Sequence, residues 1–260
     1  MGILNVTPDS FSDGGRYAST EGAIQRALAM IDAGASVIDI GGESTRPGAA
    51  DVGEQEELDR VIPVIESLRH ETDVPISVDT SKPVVMQSAV DAGADMINDV
   101  RALQNKGALD MVASLDVVVC LMHMQGAPRT MQKKPAYKDV TCTVGEFLVE
   151  RRQACENAGI ARDRIVFDPG FGFGKSNAHN IELLANLRQL RDLGQPILVG
   201  LSRKATLGAL TGRDTDDRVA AGVAAATLAV MNGALIVRAH DVSATVDALK
   251  VCQAVINSGS

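Results

Sequence analysis

The chain has 260 residues and a formal net charge of −8, with 45 % hydrophobic, 22 % charged and only 3 % aromatic residues. This balance is typical of a soluble globular protein, and an aliphatic core suits parallel strands that are buried on both faces. The acidic balance argues against a nucleic-acid partner, because binding to a phosphate backbone depends on clustered Lys and Arg side chains. No apolar run approaches the roughly 20 residues that a membrane span requires.

The four cysteines are far apart in sequence and form no CxxC pair. Neither a zinc site nor a disulfide framework is therefore indicated, and free thiols in a reducing cytosol are the simple interpretation. The first residues, MGILNVTP, contain no basic segment followed by a long apolar one, so we predict no signal peptide. These features together predict a cytoplasmic protein.

Short apolar segments alternate with helical patterns along the whole chain, and no Pro-, Gly- or Ser-rich linker divides it. In chain order the predicted strands are Gly2–Asn5, Ser36–Ile40, Pro75–Asp79, Asp95–Asn98, Val117–His123, Arg164–Asp168, Pro196–Gly200 and Ala234–Arg238. The predicted helices are Glu21–Ala33, Glu54–Arg69, Val84–Ala92, Val144–Asn157, Ile181–Leu193, Arg218–Asn232 and Val242–Ile256. Strands that alternate with helices indicate parallel βαβ units. Eight such units in this length predict a single (β/α)₈ barrel domain spanning residues 1–260.

Polar residues lie at the C-terminal ends of the predicted strands, where barrel enzymes keep their catalytic groups. They are Asn5, Asp39, Asp79, Asn98, His123, Asp168, the segment Ser202–Lys204, Arg238 and His240. Each one alone is typical of a cap or turn residue. Because all of them should meet at one rim, together they predict a small-molecule site.

The chemistry of this rim favours a planar, anionic substrate. Asp79, Asn98 and Asp168 supply hydrogen-bond acceptors and Lys204 supplies a compact cation, which suits a heterocycle with an amidine-like donor edge. Asn5, Arg238 and His240 form a second predicted cluster that suits a diphosphate, and the planar Arg side chain can also stack on a ring.

The glycine-rich segment 168–176 does not fit a phosphate-binding loop. A Walker A motif needs Gly where this chain has Pro169, and the spacing of the glycines also fails the dinucleotide fingerprint. We therefore expect a loop wall with aromatic faces from Phe171 and Phe173. The long polar segments 7–16 and 44–51 are expected to be loops that close over the site and exclude water.

Eight motifs, in order, give the chain a strong resemblance to the dihydropteroate synthase family. They are GILNVTPDSFSDGG (2–15), DIGGESTRPGA (39–49), ISVDTSKP (76–83), INDVRAL (97–103), VCLMHMQGAPRTMQ (119–132), DPGFGFGK (168–175), VGLSRK (199–204) and VRAHDV (237–242). The matches cover almost the whole chain. The resemblance implies a pterin-binding (β/α)₈ barrel that condenses 6-hydroxymethyl-7,8-dihydropterin diphosphate with para-aminobenzoate.

The same resemblance assigns roles to individual residues. It implies a pterin site formed by Asp79, Asn98, Met122, Asp168, Lys204 and Arg238. It implies a diphosphate site with Mg²⁺ formed by Asn5, Arg46, Arg238 and His240, in which Asn5 is the candidate metal ligand. It implies a para-aminobenzoate pocket formed by Phe11, Thr45, Pro47, Phe173 and Ser202, where sulfonamides would compete.

The reaction that the family resemblance implies begins with departure of diphosphate, after which the arylamine attacks a pterin methylene cation. The cations Lys204, Arg238 and His240 would stabilise the negative charge of the departing diphosphate. The carboxylates of Asp13 and Asp39 would favour the positive carbon. Mg²⁺ takes few protein ligands, so Asn5 with phosphate oxygens is a sufficient shell. No nucleophile–base pair is singled out by spacing.

Two other functions are alternatives to this one. A pterin-dependent methyltransferase shares the Asp, Asn and Asp pterin set but has no need for the TRPGA loop, the SRK segment or the RxH pair. A non-catalytic pterin-binding homologue should have lost Lys204, Arg238 or residues of the early loops, and all of them are present. The resemblance also implies a homodimer formed through outer helices. Relatives carry a short segment before the first strand, and we expect its absence here to affect the barrel floor.

Overall fold

A computed structural model describes residues 1–6, 15–44, 51–126, 130–132 and 134–258, and eight strands form its centre. They are β1 (Gly2–Asn5), β2 (Ile38–Gly41), β3 (Ile76–Asp79), β4 (Met96–Asp99), β5 (Val118–Met122), β6 (Ile165–Asp168), β7 (Leu198–Val199) and β8 (Ile236–Val237). Strands β1 to β6 form one parallel sheet in chain order, and β7 pairs with β8 in parallel.

Two isolated bridges join these two groups of strands into a ring. Phe167 pairs with Ile197, which places β6 beside β7, and Gly2 pairs with Ala239, which places β8 beside β1. Hydrogen bonds support both contacts: the Phe167 N–H donates to the Pro196 carbonyl at 2.9 Å, and the Ile3 N–H donates to the Ala239 carbonyl at 3.1 Å. The predicted (β/α)₈ barrel is therefore confirmed.

At least one helix follows every strand. The helices are α1 (Gly15–Asp32), α2 (Glu54–Glu71), α3 (Pro83–Asp91), α4 (Ala108–Ala113), α5 (Val140–Asn157), α6 (Asn177–Ala185), α7 (Leu187–Arg191), α8 (Ala205–Thr211), α9 (Val219–Met231) and α10 (Val242–Ser258). Their buried aliphatic residues pack against the strands in one large core. No helix in the described part of the chain is long and apolar enough to cross a membrane.

Local sequence sets several helix starts. The Asp139 carboxylate accepts a hydrogen bond from the Cys142 N–H and caps α5, and the Ser176 hydroxyl caps α6 through the His179 N–H. Such caps satisfy backbone donors that have no partner within the helix. Helix α3 begins with Pro83, whose fixed φ and missing N–H suit a first helical turn.

Some predicted boundaries were wrong. Strand β2 begins two residues later and ends one residue later than predicted, so Asp39 is its second residue and does not lie at its C-terminal end. The predicted helix Ile181–Leu193 is two helices, α6 and α7, separated at Asn186. The cap at Asp139 starts α5 four residues earlier than the apolar pattern indicated. Helices α4 and α8 were not predicted, because six or seven residues are too few to establish a helical period.

Candidate active site

The interior of the barrel carries its own small apolar cluster, separate from the core under the helices. It consists of Met96, Cys120, Val166 and Leu198, with Met1, Val118 and Ile236 against it. Side chains two positions apart on a strand share a face. The interior residues one step closer to the C-terminal mouth are therefore Asn98, Met122, Asp168 and Arg238. Alternation along the strands thus brings the predicted pterin residues to one opening.

Arg238 lies at the centre of this opening. Its Nη2 donates to Asp79 Oδ2 at 2.9 Å, and its Nε donates to Asp39 Oδ2. The Asn98 amide donates to the same oxygen of Asp39 at 3.3 Å. We predicted Arg238 for a second cluster with Asn5 and His240 as well as for the pterin site. Its hydrogen bonds described above are with the acceptor side, to Asp39 and Asp79.

Asp39 is completely buried, and its Oδ1 has no hydrogen-bond partner among the described residues. Burial opposes the charge of Arg238, but the carboxylates of Asp39 and Asp79 outweigh it, so the pKa of the guanidinium is raised above its ordinary value. Arg238 is therefore a permanent cation in the mouth, and Asp39 is the residue that fixes it there.

The two acceptor carboxylates have raised pKa values because they are buried. Burial raises the pKa of Asp79 to about 7, although the neighbouring charge of Arg238 acts in the opposite direction. Burial also raises the pKa of Asp168, against a hydrogen bond from the Gly170 N–H and the charge of Lys204. That hydrogen bond, to Asp168 Oδ1, is 2.7 Å long. A bound ring with N–H donors would stabilise the ionised form of both groups.

The glycine-rich segment after β6 folds tightly under the mouth. Gly170, Gly172 and Gly174 all have positive φ, and a Cβ at Gly170 would overlap the His123 carbonyl oxygen. Phe171 is buried in the core, so it does not form part of an exposed aromatic wall as we predicted. Phe173 is partly exposed.

Lys175 ends this segment and was missed as a structural residue. It is only 2 % exposed, and its Nζ donates to the carbonyls of Gly170 at 2.9 Å and Phe173 at 3.1 Å and lies 2.9 Å from His123 Nδ1. Burial lowers the pKa of Lys175 to about 7, and burial together with Lys175 lowers that of His123 to about 3. His123, predicted at the rim, therefore supports the loop. A Lys directly after alternating glycines was the available signal.

The ends of β7 and β8 supply the other side of the mouth. The Ser202 hydroxyl oxygen accepts from the His240 N–H at 3.2 Å and lies 3.2 Å from His240 Nδ1. Lys204 Nζ lies 4.2 Å from the centroid of the Phe173 ring, a cation–π distance. Two pairs of side chains therefore lie next to the acceptor residues: Ser202 with His240, and Lys204 with Phe173. Spacing alone did not single out the contact between Ser202 and His240.

Five predicted site residues, Phe11, Asp13, Thr45, Arg46 and Pro47, lie outside the described residues. Asn5 is the last residue of β1, is half-buried, and pairs with Gly41 of β2 at the same end of the barrel. No cluster of three or more His, Cys, Asp or Glu side chains that could hold a metal ion occurs within the described ranges.

Known proteins match this barrel over nearly its full length. The pterin binding enzyme family matches residues 1–240. The dihydropteroate synthase of Escherichia coli (strain K12) is 50 % identical over 258 residues, which cover 99 % of this chain and 92 % of that protein. The chain belongs to the dihydropteroate synthase family.

Solved structures of this family have the same fold. A Yersinia pestis dihydropteroate synthase in complex with a sulfonamide drug is 52 % identical, with a TM-score of 0.95, 99 % of this chain covered and 94 % of that one. The Xanthomonas albilineans enzyme in complex with 7,8-dihydropteroate is 55 % identical, with a TM-score of 0.90 and coverages of 98 % and 92 %. The family resemblance predicted from the motifs is confirmed.

Proposed function

We propose that this protein condenses 6-hydroxymethyl-7,8-dihydropterin diphosphate with para-aminobenzoate to give 7,8-dihydropteroate and diphosphate. The observation that carries the proposal is the barrel mouth in which the acceptors Asp79, Asn98 and Asp168 lie beside the cations Lys204 and Arg238. The sulfonamide and 7,8-dihydropteroate complexes of relatives about half identical in sequence support it.

The acceptor residues suit the pterin ring. Asp79 can accept two parallel N–H groups in the fork geometry that carboxylates use with guanidinium groups, with Asn98 and Asp168 beside it and Met122 against the ring. Arg238 holds Asp79 in the free protein, so it competes with the ring for that carboxylate. We propose that Arg238 leaves Asp79 when the pterin enters, stacks on the ring, and stays bound to Asp39.

The cations suit the leaving group. The bond between the pterin methylene carbon and the diphosphate oxygen breaks, and its electron pair leaves with the diphosphate. The amino nitrogen of para-aminobenzoate then forms the new C–N bond and loses a proton to solvent. Arg238, His240 and Arg46 would stabilise the charge that develops on the departing oxygen, which lowers the barrier more than it strengthens ground-state binding.

The carboxylates of Asp13 and Asp39 concern the positive carbon and not the departing oxygen. A direct role of Asp13 and Asp39 in favouring the positive carbon stays a prediction. The contacts of Asp39 support positioning instead, because it is buried and bound to both Arg238 and Asn98.

Mg²⁺ remains part of the proposal, with Asn5 as its protein ligand. A half-buried amide at the end of β1 offers the hard oxygen that Mg²⁺ prefers, and Mg²⁺ commonly keeps several waters and binds substrate phosphates. When bound, the ion would neutralise charge on the diphosphate. The chain itself contributes the amide that orients this group at the strand end.

The second substrate would lie between Phe173, Ser202 and Lys204, with Phe11, Thr45 and Pro47 completing its pocket. The cation–π contact between Lys204 and Phe173 already joins an aromatic face to a positive charge. These are the two features that a benzoate ring needs. Sulfonamides would compete at this place.

We also propose a cytoplasmic homodimer. The outer helices α9 and α10, and the residue just before β8, expose large apolar side chains, namely Leu228, Met231, Leu235, Val251 and Val255. An exposed apolar patch of this kind marks an interaction surface, and most soluble oligomers are homo-oligomers, so we propose that a second copy of the chain covers it. The four cysteines are free thiols, which supports a reducing compartment.

The proposal is tested by incubating the purified full chain with the pterin diphosphate and Mg²⁺, with and without para-aminobenzoate. We expect diphosphate and 7,8-dihydropteroate to form in equal amounts, and a sulfonamide to inhibit competitively with para-aminobenzoate. Tight pterin binding without diphosphate release would overturn the synthase proposal in favour of a binding protein. Methyl transfer from a methylated pterin would favour the methyltransferase.

A matched pair of variants links the activity to this mouth. Asp79 and Ser77 lie on the same face of β3, two residues apart. Asp79→Ala should lower kcat/KM by about 100-fold or more, because truncating a partner of a buried charged group commonly costs several kcal/mol. Ser77→Ala should retain the activity of the original chain.

A further inference from the structure

The segment Ser202–Lys204 contains a backbone conformation that its sequence does not favour. Arg203 has a φ of +59°, in the left-handed region. It lies inside a turn that the Lys204 N–H closes by donating to the Leu201 carbonyl at 3.3 Å. Glycine is the residue that such a position favours, because an L side chain there is strained. Strain of this kind persists when surrounding contacts hold the residue in place.

The contacts that hold Arg203 come from the end of β8. Its Nη2 donates to Asp241 Oδ1 at 2.6 Å, and its Nε lies 3.2 Å from Oδ2 of the same carboxylate, so the pair is bidentate. Arg218 donates to the Arg203 carbonyl at 3.1 Å. The hydrogen bond from Arg203 lowers the pKa of Asp241. The carboxylate is 18 % exposed, which makes this a better protected pair than a surface salt bridge.

The ion pair joins two segments that the strands themselves do not hold together. Strands β7 and β8 have only two residues each, and their backbone hydrogen bonds end where the Arg238 N–H donates to the Val199 carbonyl. Beyond that point, side chains replace the missing ladder. The described links are the Arg203–Asp241 pair and the contacts of Ser202 with His240.

We propose that Arg203 and Asp241 form a clamp that positions Ser202, Lys204 and His240 in the mouth. Ser202 and Lys204 flank Arg203 in sequence, and His240 precedes Asp241, so the clamp fixes both segments from outside the site. Arg203 and Asp241 are positioning residues and touch no substrate. The kinetic part of this inference rests on the proposed function, whereas the clamp itself does not.

The variants Arg203→Gly, Arg203→Ala and Asp241→Asn test the clamp, and Asp216→Ala is the matched control. Arg203→Gly removes the side chain and relieves the backbone strain, whereas Arg203→Ala removes the side chain and keeps the strain. Asp216 also contacts Arg203, at 3.2 Å, but it is 92 % exposed. An exposed partner of this kind contributes little, so the control should leave both substrates' KM values unchanged.

We expect Arg203→Gly and Asp241→Asn to raise the KM for para-aminobenzoate about tenfold, because the clamp holds Ser202 and Lys204, which we place in the pocket of that substrate, and small misplacements of positioning groups are costly. The affinity for the pterin alone should change by less than about threefold, because its acceptors Asp79, Asn98 and Asp168 belong to other strands and only Lys204 is shared with the clamped segment. The double variant Arg203→Gly with Asp241→Asn should be no worse than either single one, because paired residues are not additive. Arg203→Gly should melt no lower than Arg203→Ala.

Additive effects of the two substitutions, or an unchanged KM in Arg203→Gly, would overturn the clamp. A loss of pterin affinity equal to the change in KM would also overturn it, because that pattern indicates general disruption. Hydrogen exchange distinguishes failure of the clamp from failure of the proposed function. Even in a chain without synthase activity, amides of residues 201–204 should exchange faster in Arg203→Gly and Asp241→Asn than in Asp216→Ala.

Discussion

The two sides of the barrel mouth are built in different ways. Asp79 and Asn98 belong to four-residue strands that have a paired neighbour on each side in the continuous sheet. Asp168 belongs to the four-residue strand β6, which pairs with β5 and reaches β7 through the Phe167–Ile197 bridge. Backbone hydrogen bonds therefore fix the positions of these acceptors. Lys204 and His240 follow two-residue strands and depend on side-chain contacts instead. The difference matches the two tasks that we propose. A rigid, planar ring needs acceptors at fixed positions, and the strands supply them. The side that we assign to the leaving group and the second substrate is positioned by side-chain contacts, among them the Arg203–Asp241 pair.

The largest effect should come from the residue that connects the two sides, Asp39. Asp39→Ala leaves Arg238 without its buried partner, and breaking such a pair costs about 3 kcal/mol of unfolding free energy or more. Because Arg238 would also move, kcat/KM should fall about 100-fold. Urea unfolding and steady-state kinetics measure the two losses. If Asp39→Ala keeps full activity, Arg238 does not need this anchor, and the two sides of the mouth are independent.

Gly170 in the glycine-rich segment and Gly212 at the end of α8 have nearly the same backbone conformation but different surroundings. Gly170 has a φ of +69° and Gly212 a φ of +68°, but a Cβ at Gly170 would overlap the His123 carbonyl, whereas nothing lies within 4 Å of one at Gly212. Gly212→Ala should cost only the backbone strain, about 1 kcal/mol. Gly170→Ala should cost about 3 kcal/mol or more, because backbone must also move. If Gly170→Ala and Gly212→Ala lose the same unfolding free energy in thermal unfolding, the close approach of the His123 carbonyl to Gly170 is unimportant.

The acceptor side should respond to pH through Asp79, whose pKa is raised to about 7 by burial. Below that pH a proton occupies the carboxylate and blocks one acceptor position. The Kd of 6-hydroxymethyl-7,8-dihydropterin, which has no phosphate to titrate, should therefore rise about tenfold for each pH unit below 7. In Asp79→Asn the affinity should be weak, and the loss of affinity that begins near pH 7 should disappear. A Kd that stays constant from pH 8 to pH 5 in the unchanged chain would contradict this.

The same raised pKa has the opposite consequence for stability. Between its unfolded value near 4 and about 7, Asp79 is protonated in the folded chain and ionised in the unfolded one. Its contribution to the unfolding free energy is therefore present at low pH and lost as the pH rises through 7. Pterin binding and folding thus favour different protonation states of one carboxyl group.

The smallest effect is expected at Ser77, which pairs with Asp39 in the sheet. Its buried hydroxyl has no hydrogen-bond partner among the described residues. Ser77→Ala removes an unsatisfied polar group, so the unfolding free energy should change by less than about 0.5 kcal/mol or rise slightly. If the unfolding free energy falls by more than about 1 kcal/mol, the Ser77 hydroxyl has a hydrogen-bond partner that contributes to stability. The barrel interior around Ser77 and Asp39 would then be more constrained than the described contacts show.

The strands and their polar ends were predictable from sequence, but the contacts across the mouth were not. The apolar segments that end in Asp79 and Asp168 carry their own signal, because both the strand and the polar residue are local in sequence. Arg238 is bound to Asp39 and Asp79 across separations of 199 and 159 residues, and this depends on ring closure. A local pattern could not distinguish that arrangement from the separate cluster that we predicted.

Residues whose role is to hold backbone were the hardest to predict. The sequence of the segment that ends in Lys175 predicted a loop wall and gave Lys175 no role, yet the buried ammonium binds carbonyls of its own loop. Arg203 occupies a left-handed position that no residue-type preference would assign to Arg. Both residues have roles that become visible only when the backbone conformation is known.

The contact between β1 and β8 sets the order in which the molecule can assemble. The Met1 amino group donates to the Val237 carbonyl, 236 residues later in the chain, whereas β1 to β6 pair with their neighbours in sequence. Contacts between distant residues form late, because the intervening chain must first be ordered. A polypeptide emerging from the ribosome can therefore build the six-stranded sheet well before Arg238 reaches Asp39. Until that last strand arrives, the growing chain exposes two open sheet edges and has no complete pterin site, so this interval is when it most needs protection from aggregation.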